Sequence, residues 1–460
     1  MQLPVLSPSA RGFRVLPLAE RPPHQQRLVP ALGRPPRVHL WHIGCQMNEA
    51  DREELAARFA EIGCIPETPL DDSDIAVLIT CTVRASAEQK VYGKFRELIP
   101  WKRARGGRAI AVTGCMAVEH GADLLARLPD LDYVFDVRDP DGFLAKLQAL
   151  HAGALDGPML LPASDRLSAY VPVMGGCNEM CSYCIVPFVR GREVSRPVTD
   201  VVGHVSRLVR SGVREVTLLG QNVNSYEDPV GGHRLPQLME AVDSVEGLQR
   251  LRFLTSHPRN AVVDLFAAIR DLRTACEQLH LPVQSGDDAV LRRMRRLYTV
   301  AEYREKIAGA RATVGRRMSL STDIIVGFCG ETEAEFESTE ALMRELRFDT
   351  VHLAAYSPRP GTAASRRADD IPLPEKKRRL NHLLDVQRQI VADLNAGYVG
   401  TRVEVLVEGE ANDGRLYGRT RENKVAWLPV GSARAGELCQ ATVTAAAPWQ
   451  LQATPLSIAA

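Results

Sequence analysis

The sequence predicts an α/β chain in three folded parts: a small parallel α/β domain, a larger parallel barrel or partial barrel, and a small antiparallel barrel. Three observations carry this. From Val38 onward, short apolar runs precede charged amphipathic stretches, the pattern of buried parallel strands joined by helices. Past residue 166, strand and helix candidates alternate six times over about 200 residues, as a barrel of βα units requires. After Gly400 the apolar period switches to two, with Val403, Val405 and Val407 facing away from Glu404, Leu406 and Glu408.

Residues 1–36 hold eight prolines and five arginines against one acid, Glu20. Proline at that density prevents regular structure, and a disordered extension is expected; the arginine bias also fits a transit peptide, although the prolines spoil an amphipathic helix. Strands are expected at Val38–Trp41, Ile75–Ile79 and Ala109–Val112, with a weaker one at Tyr133–Val137. The domain ends near Leu150, and the aperiodic Gly, Pro, Ala and Asp of 151–166 read as a linker. The six barrel strands are placed at Ala169–Val173, Glu215–Leu219, Leu251–Leu254, Gln278–Leu281, Met318–Val326 and Thr350–Ala355, and a helix over Pro374–Asn395 closes the part. Short strands at Gly414–Arg419, Lys424–Leu428 and Leu438–Thr444 complete the last barrel.

Composition limits the function classes. The chain has 460 residues, 45% hydrophobic and 25% charged, which is ordinary for a globular protein. Lys plus Arg number 57 and Asp plus Glu 56, a net charge of +1, so nucleic acid is not held by a uniformly basic surface. No uninterrupted apolar run reaches the roughly 18–20 residues of a membrane helix; the charge-free end from Leu438 to Ala460 is broken by Gln440, Pro448, Gln450, Gln452 and Pro455. Without a signal-peptide core, a cytoplasmic protein is expected. Ten cysteines in so long a chain are too sparse for a disulfide scaffold.

Six of those cysteines are candidates to carry chemistry. Cys177, Cys181 and Cys184 form a C-x3-C-x2-C loop directly after the first barrel strand. Three thiolates this close suit one iron–sulfur cluster, whose fourth iron stays open to a substrate; a closed zinc site wants a fourth ligand, and none stands nearby. Cys45, Cys81 and Cys115 lie 36 and 34 positions apart, each just past a strand of the first domain. The carboxyl ends of parallel strands share one edge, so these three converge there as a second cluster site, or are three small core-edge residues. Cys64, Cys276 and Cys439 read as buried spectators.

The C-x3-C-x2-C loop on the first strand of a barrel resembles the radical S-adenosylmethionine (SAM) superfamily. The chain as a whole, from Val38 to its end, resembles the methylthiotransferases, specifically the MiaB family. The resemblance rests on Gly44-Cys45-Gln46-Met47-Asn48, Cys81 and Cys115, on Gly176 to Pro187, and on Arg190-Gly191-Arg192-Glu193-Val194-Ser195-Arg196-Pro197. It continues through Leu219 to Tyr226, Ser256-His257-Pro258, Leu281 to Gly286, Thr322 to Phe328, and Tyr356 to Thr362.

The resemblance implies a parallel N-terminal domain over 37–150 with an auxiliary 4Fe-4S cluster on Cys45, Cys81 and Cys115. It implies a radical SAM partial (β/α)6 barrel over 163–396, with a 4Fe-4S cluster on Cys177, Cys181 and Cys184. Residues 397–459 resemble TRAM, an OB-like RNA-binding barrel. The implied cofactors are two 4Fe-4S clusters and SAM, with Gly220, Gln221, Asn222, Ser256, Gln284 and Arg359 as cofactor contacts. The implied reaction uses a 5′-deoxyadenosyl radical to activate carbon 2 of an isopentenylated adenosine beside the tRNA anticodon, where a methylthio group is then placed. An electron donor such as flavodoxin or ferredoxin and a sulfur donor are implied partners, with no membrane. Within the same family, a threonylcarbamoyl adenosine or a ribosomal-protein aspartate are alternative substrates; a non-catalytic iron–sulfur RNA-binding protein is the alternative of another class.

Where the family has proline, this chain has Cys329, read as a packing residue. Ala85 and Val118 also depart from the pattern. The run Arg292, Arg293, Arg295, Arg296, Arg304, Lys306, Arg311, Arg316 and Arg317, and the group Lys102, Arg103, Arg105 and Arg108, read equally as phosphate contacts or as solvated faces. His257 and Asn224 are expected to position ligand.

Overall fold

A computed structural model describes residues 34–82, 85–121, 123–149, 166–315 and 317–456. The proline-rich extension up to residue 33 and nearly all of the 151–166 linker lie outside the described residues. The chain divides into two compact units. The first holds the N-terminal part with the segments Cys184–Arg192 and Arg359–Thr362; the second holds the rest from Asp165 onward.

In the first unit, β1 (Val38–His42), β2 (Ile75–Thr80), β3 (Ala109–Gly114) and β4 (Tyr133–Val134) form one parallel sheet in sequential order. β2 and β3 are buried along their whole length, which is why they read as continuous apolar runs. One face packs Phe59, Val77, Ala111, Phe135 and Phe143; the other packs Leu78, Phe95, Leu98, Trp101 and Val112. Helices α1 (Gln46–Glu61), α2 (Ala85–Ala104) and α3 (Cys115–His120) follow the first three strands, so each strand's carboxyl end opens directly into a cysteine-bearing turn.

In the second unit, β5 (Ser168–Pro172), β6 (Glu215–Leu219) and β7 (Arg250–Phe253) form one parallel set, and β8 (Gln278–His280), β9 (Ser319–Val326) and β10 (Thr350–Ala355) another. A parallel bridge between Leu251 and Ala275 links the two. Helices alternate with these strands: α4 (Val198–Arg210), α5 (Leu235–Asp243), α6 (Val263–Asp271), α7 (Val300–Val314), α8 (Glu333–Leu346) and finally α9 (Leu373–Ala396). Thr299 with Glu302 and Thr332 with Glu335 close capping boxes at the starts of α7 and α8. This is the six-stranded partial barrel.

Its two strand faces differ sharply. Val216, Leu218, Leu251, Phe253, Leu279, Leu320, Ile324 and Val351 pack into the apolar core shared with the helices. The alternate positions are Glu215, Thr217, Arg250, Arg252, Gln278, His280, Ser319, Ser321 and Asp323. A closed (β/α)8 barrel fills its interior with branched apolar side chains; this one lines its inner face with polar groups, several of them buried and paired, as Arg252 is with Glu215 and Gln278.

β11 (Arg402–Glu410), β12 (Leu416–Thr420), β13 (Val425–Leu428), β14 (Leu438–Ala447) and β15 (Gln450–Pro455) close a barrel in the order β11-β12-β13-β15-β14. Its core is Val403, Val405, Val407, Leu416, Ala426, Leu428, Ala441, Val443, Leu451 and Ala453. Within this unit the barrel is tied to the amino ends of β6 and β7. Arg250, fully buried, donates to the Arg419 carbonyl (2.6 Å) and pairs with Glu404 (3.1 Å). Arg252 pairs with Glu215 (3.0 Å) and donates to the Thr420 and Arg421 carbonyls. Among the described residues, no helix is long and apolar enough to cross a membrane.

Candidate iron–sulfur and SAM site

In the first unit the turns after β1, β2 and β3 place Cys45, Cys81 and Cys115 as the sequence anticipates. Cys81 and Cys115 are buried and Cys45 is exposed. Gly44 has φ +130°, and a side chain there would meet Cys81: an added Cβ would lie 2.6 Å from the Cys81 Cβ and 3.1 Å from its Sγ. Gly114, at φ +87°, is equally constrained by the backbone of Thr80. These glycines let the cysteine turns close on one another, at a conformation L side chains resist.

Asn48 ties the edge together. Its Nδ2 donates to the carbonyls of Ile43 (2.7 Å) and Thr80 (3.0 Å), and its Oδ1 faces the Cys45 thiol at 3.9 Å. Arg190, in the Cys184–Arg192 segment of the same unit, donates to Asn48 Oδ1 (3.0 Å) and pairs with Asp51 (2.7 Å). Its guanidinium also hydrogen-bonds Cys115 and lies in the field of Cys45. Burial pushes the Cys115 thiol pKa up, opposed by that guanidinium. A buried thiol with a cation beside it is primed to give up its proton when a metal takes the sulfur. Three sulfur donors and one cation match a cluster that adds net negative charge. Arg359, also of this unit, pairs with Glu88 (3.7 Å) and lies in the field of Cys81.

The C-x3-C-x2-C loop is shared by the division of the chain: Cys177 and Cys181 belong to the second unit, Cys184 to the first. The Cys181 Sγ accepts from Arg296 Nη1 at 3.3 Å. Arg296 is buried, stacked by Tyr298 and anchored on the Pro282 carbonyl at 3.0 Å. Burial pushes the Cys177 thiol up to about 11, so it too needs a metal to ionise at neutral pH.

The loops after β6, β7 and β8 carry the other expected contacts. Gln221 Oε1 accepts from the Gly176 amide, fixing the start of the cysteine loop. Asn222 donates to Glu193 (3.1 Å), which in turn accepts from Asn178. The Gly220 carbonyl accepts from the Thr255 hydroxyl. Thr255 and Gln284 hold φ of 65° and 73°, conformations costly for such residues and typical of ligand-holding turns. Three buried polar atoms in these loops have no hydrogen-bond partner among the described residues: Asn222 Oδ1, Ser256 Oγ and His257 Nε2. His257 Nδ1 accepts from the Arg259 amide, so Nε2 carries the proton. Burial, then Arg296 and Arg259, hold the imidazole pKa down at about 3, so it is a neutral donor. A donor, an acceptor and a hydroxyl left unpaired in loops beside the cysteines suit a ligand with amine, carboxylate and ribose hydroxyl groups, as SAM has. Asn224, by contrast, spends both ends of its amide on the His257 backbone and serves as a clamp between two loops.

The sequence did not single out Arg190 and Arg296 as neighbours of the cysteines. Each stood in a quoted motif or basic run, and nothing in a sequence marks which arginine of a run turns inward to a thiol. Most of the remaining basic run is structural. Arg293 pairs with Glu335, Arg304 with Glu345, and Lys306 and Arg317 donate to carbonyls. Lys102, Arg103 and Arg105 pair with Asp132, Asp130 and Asp74. Cys329 packs among Val290, Met294, Phe328, Tyr356 and Ala364, as a packing residue does.

The partial barrel and its cysteine loop define a radical SAM enzyme, and residues 171–343 match the model of the radical SAM superfamily. Residues 37–136 match uncharacterized protein family UPF0004, and 397–456 the TRAM domain. Among solved structures, the radical SAM methyltransferase TsrM from Kitasatospora setae shares the fold, with TM-score 0.54 and 13% identity over 72% of this chain and 74% of that one. A tRNA-2-methylthio-N(6)-dimethylallyladenosine synthase from Chloroflexus aurantiacus is 42% identical over 91% of each chain. The enzyme of that name from Dehalococcoides mccartyi strain 195 is 40% identical over 92% of this chain and 99% of its own. The chain belongs to the tRNA-2-methylthio-N(6)-dimethylallyladenosine synthase family.

Proposed function

We propose that this chain adds a methylthio group to carbon 2 of N(6)-isopentenyladenosine beside the anticodon of tRNA, in the cytoplasm. What supports the reading is the placement of Cys45, Cys81 and Cys115 just past three adjacent parallel strands, with Arg190 beside Cys115 and Cys45. A radical enzyme with a single cluster has no use for a second thiolate trio; one that must also present sulfur does. Cys45, Cys81 and Cys115 would hold the auxiliary 4Fe-4S cluster, and Cys177, Cys181 and Cys184 the one that binds SAM. When bound, the clusters and SAM supply the radical, the sulfur and the methyl group.

The protein's own residues bind and orient. Arg296 offsets the charge of Cys181, and Arg190 that of Cys115 and Cys45. Gln221 fixes the loop that carries Cys177. Asn222, Ser256 and neutral His257 offer hydrogen bonds to SAM, with Gly220 and Gln284 as further contacts. The polar inner face of the barrel receives the nucleoside, and the C-terminal barrel grips the tRNA. A flavodoxin or ferredoxin would deliver electrons, and a separate donor the sulfur.

The test is an anaerobic assay of the reconstituted chain with SAM, a reductant, a sulfide source and tRNA bearing isopentenyladenosine. Mass spectrometry of the digested tRNA should show the 2-methylthio nucleoside. Product only with a threonylcarbamoyl-bearing tRNA would overturn the substrate assignment.

A further inference from the structure

On the inner face of the partial barrel, three metal-ligating side chains meet on three adjacent strands. His280 ends β8, Asp323 lies within β9 and His352 within β10. Their ligand atoms all lie within 4.8 Å of one another. The parallel register explains the meeting: His280 pairs with Ser321, and Asp323, two residues on and on the same face, pairs directly with His352. The His280 Nε2 and an Asp323 carboxylate oxygen are 3.6 Å apart, and the two imidazoles have centroids 5.8 Å apart.

We propose that His280, Asp323 and His352 form a binding site for a divalent first-row transition ion such as Zn2+, separate from the six cluster cysteines. Two imidazoles and one carboxylate are a borderline donor set for such ions, and three protein ligands leave coordination positions open. Ligand atoms sharing an ion with bonds of about 2.1 Å lie roughly 3.0–3.4 Å apart. His280 and Asp323 are within a few tenths of an ångström of that already. His352 is exposed, so its imidazole can swing the remaining distance without disturbing the core.

His280 has a second feature of a metal-ligating histidine. It is buried, and its Nδ1 is 2.9 Å from the Ser321 hydroxyl, which leaves Nε2 as the nitrogen turned to Asp323. Ligating imidazoles are almost always oriented by such a bond at the other ring nitrogen. Arg252, a strand cation on this face, is already paired with Glu215. An ion here would keep its open positions toward the polar inner face, available to water or to an oxygen or nitrogen donor of whatever occupies the barrel. The site stands apart from the methylthiotransferase reading, and its failure would leave that reading untouched.

The test is equilibrium dialysis of the full chain, both clusters reconstituted anaerobically, against Zn2+, with iron and zinc counted together. The expected result is one zinc per chain with the iron count unchanged. His352→Gln and Asp323→Asn should each weaken zinc binding at least about 100-fold, and Ser321→Ala about tenfold, with iron again unchanged. Far-UV circular dichroism of His352→Gln, an exposed position, controls for folding. Zinc that appears only as iron is lost, or that binds His352→Gln and Asp323→Asn as tightly as the parent, overturns the proposal.

Discussion

At the residue scale, the side chains that stand next to sulfur decide whether a cluster can be held. Gly44 is the sharpest case, since its hypothetical Cβ would lie 2.6 Å from the Cys81 Cβ. Gly44→Ala should therefore push Cys81 out of register and cost the auxiliary cluster. In an anaerobically reconstituted chain, iron should fall from about eight to about four per molecule. Gly93→Ala, where nothing lies within 4 Å of the added carbon, should leave the count unchanged. The positions of Cys45, Cys81 and Cys115 just past three strands were legible in the sequence, as was the close spacing of Cys177, Cys181 and Cys184. The arginines facing them were not, because a guanidinium's partner depends on tertiary contacts with no sequence period. Nor were His280, Asp323 and His352, which stand far apart in the chain and meet only through strand register.

At the element scale, the strands fell where apolar runs placed them, to within a few residues. Glu215–Leu219 and Thr350–Ala355 coincide with expectation, whereas Tyr133–Val137 shrinks to Tyr133–Val134. Strand β15 (Gln450–Pro455) was missed. Only Leu451 and Ala453 of it reach the core, alternating with Gln450, Gln452 and Thr454, and the flanking prolines disguise so short a signal. Strand β7 carries Arg250 and Arg252 where a barrel strand reads as apolar, and the structure shows why: both donate to carbonyls of the C-terminal barrel, and Glu215 on β6 pairs with Arg252. Breaking a buried ion pair leaves a charge without its partner, at a cost of about 3 kcal/mol or more. Arg250→Ala should lower the urea midpoint accordingly and shift it more than Arg419→Ala, whose side chain is half exposed. Equal shifts would show that the tie contributes little.

At the scale of the whole molecule, a net charge of +1 fits a protein that spends its basic residues internally. Its pH response is set mainly by the burial of two histidines. Burial, then Arg196 and Arg207, hold His204 at about 4, and His257 stands at about 3, against an ordinary value of 6.5. The unfolded chain thus takes up two protons below pH 6.5 that the folded chain refuses until far lower. Stability should fall as pH drops from 6.5 toward 4, by about 1.4 kcal/mol per pH unit for each histidine. Above pH 7 neither contributes. Urea unfolding between pH 6.5 and 5 should show this slope, and His204→Gln should remove about half of the histidine share; an unchanged slope would contradict the assignment.

The central claim is that this chain places sulfur and methyl on isopentenyladenosine. The most direct measurement is mass spectrometry of total tRNA nucleosides from a strain lacking the gene, and from the same strain complemented with the parent or with Cys45→Ala. The account predicts that 2-methylthio-isopentenyladenosine disappears, isopentenyladenosine accumulates, and only the parent restores the product. Persistence of the 2-methylthio nucleoside in the deletion strain, or full restoration by Cys45→Ala, would contradict it.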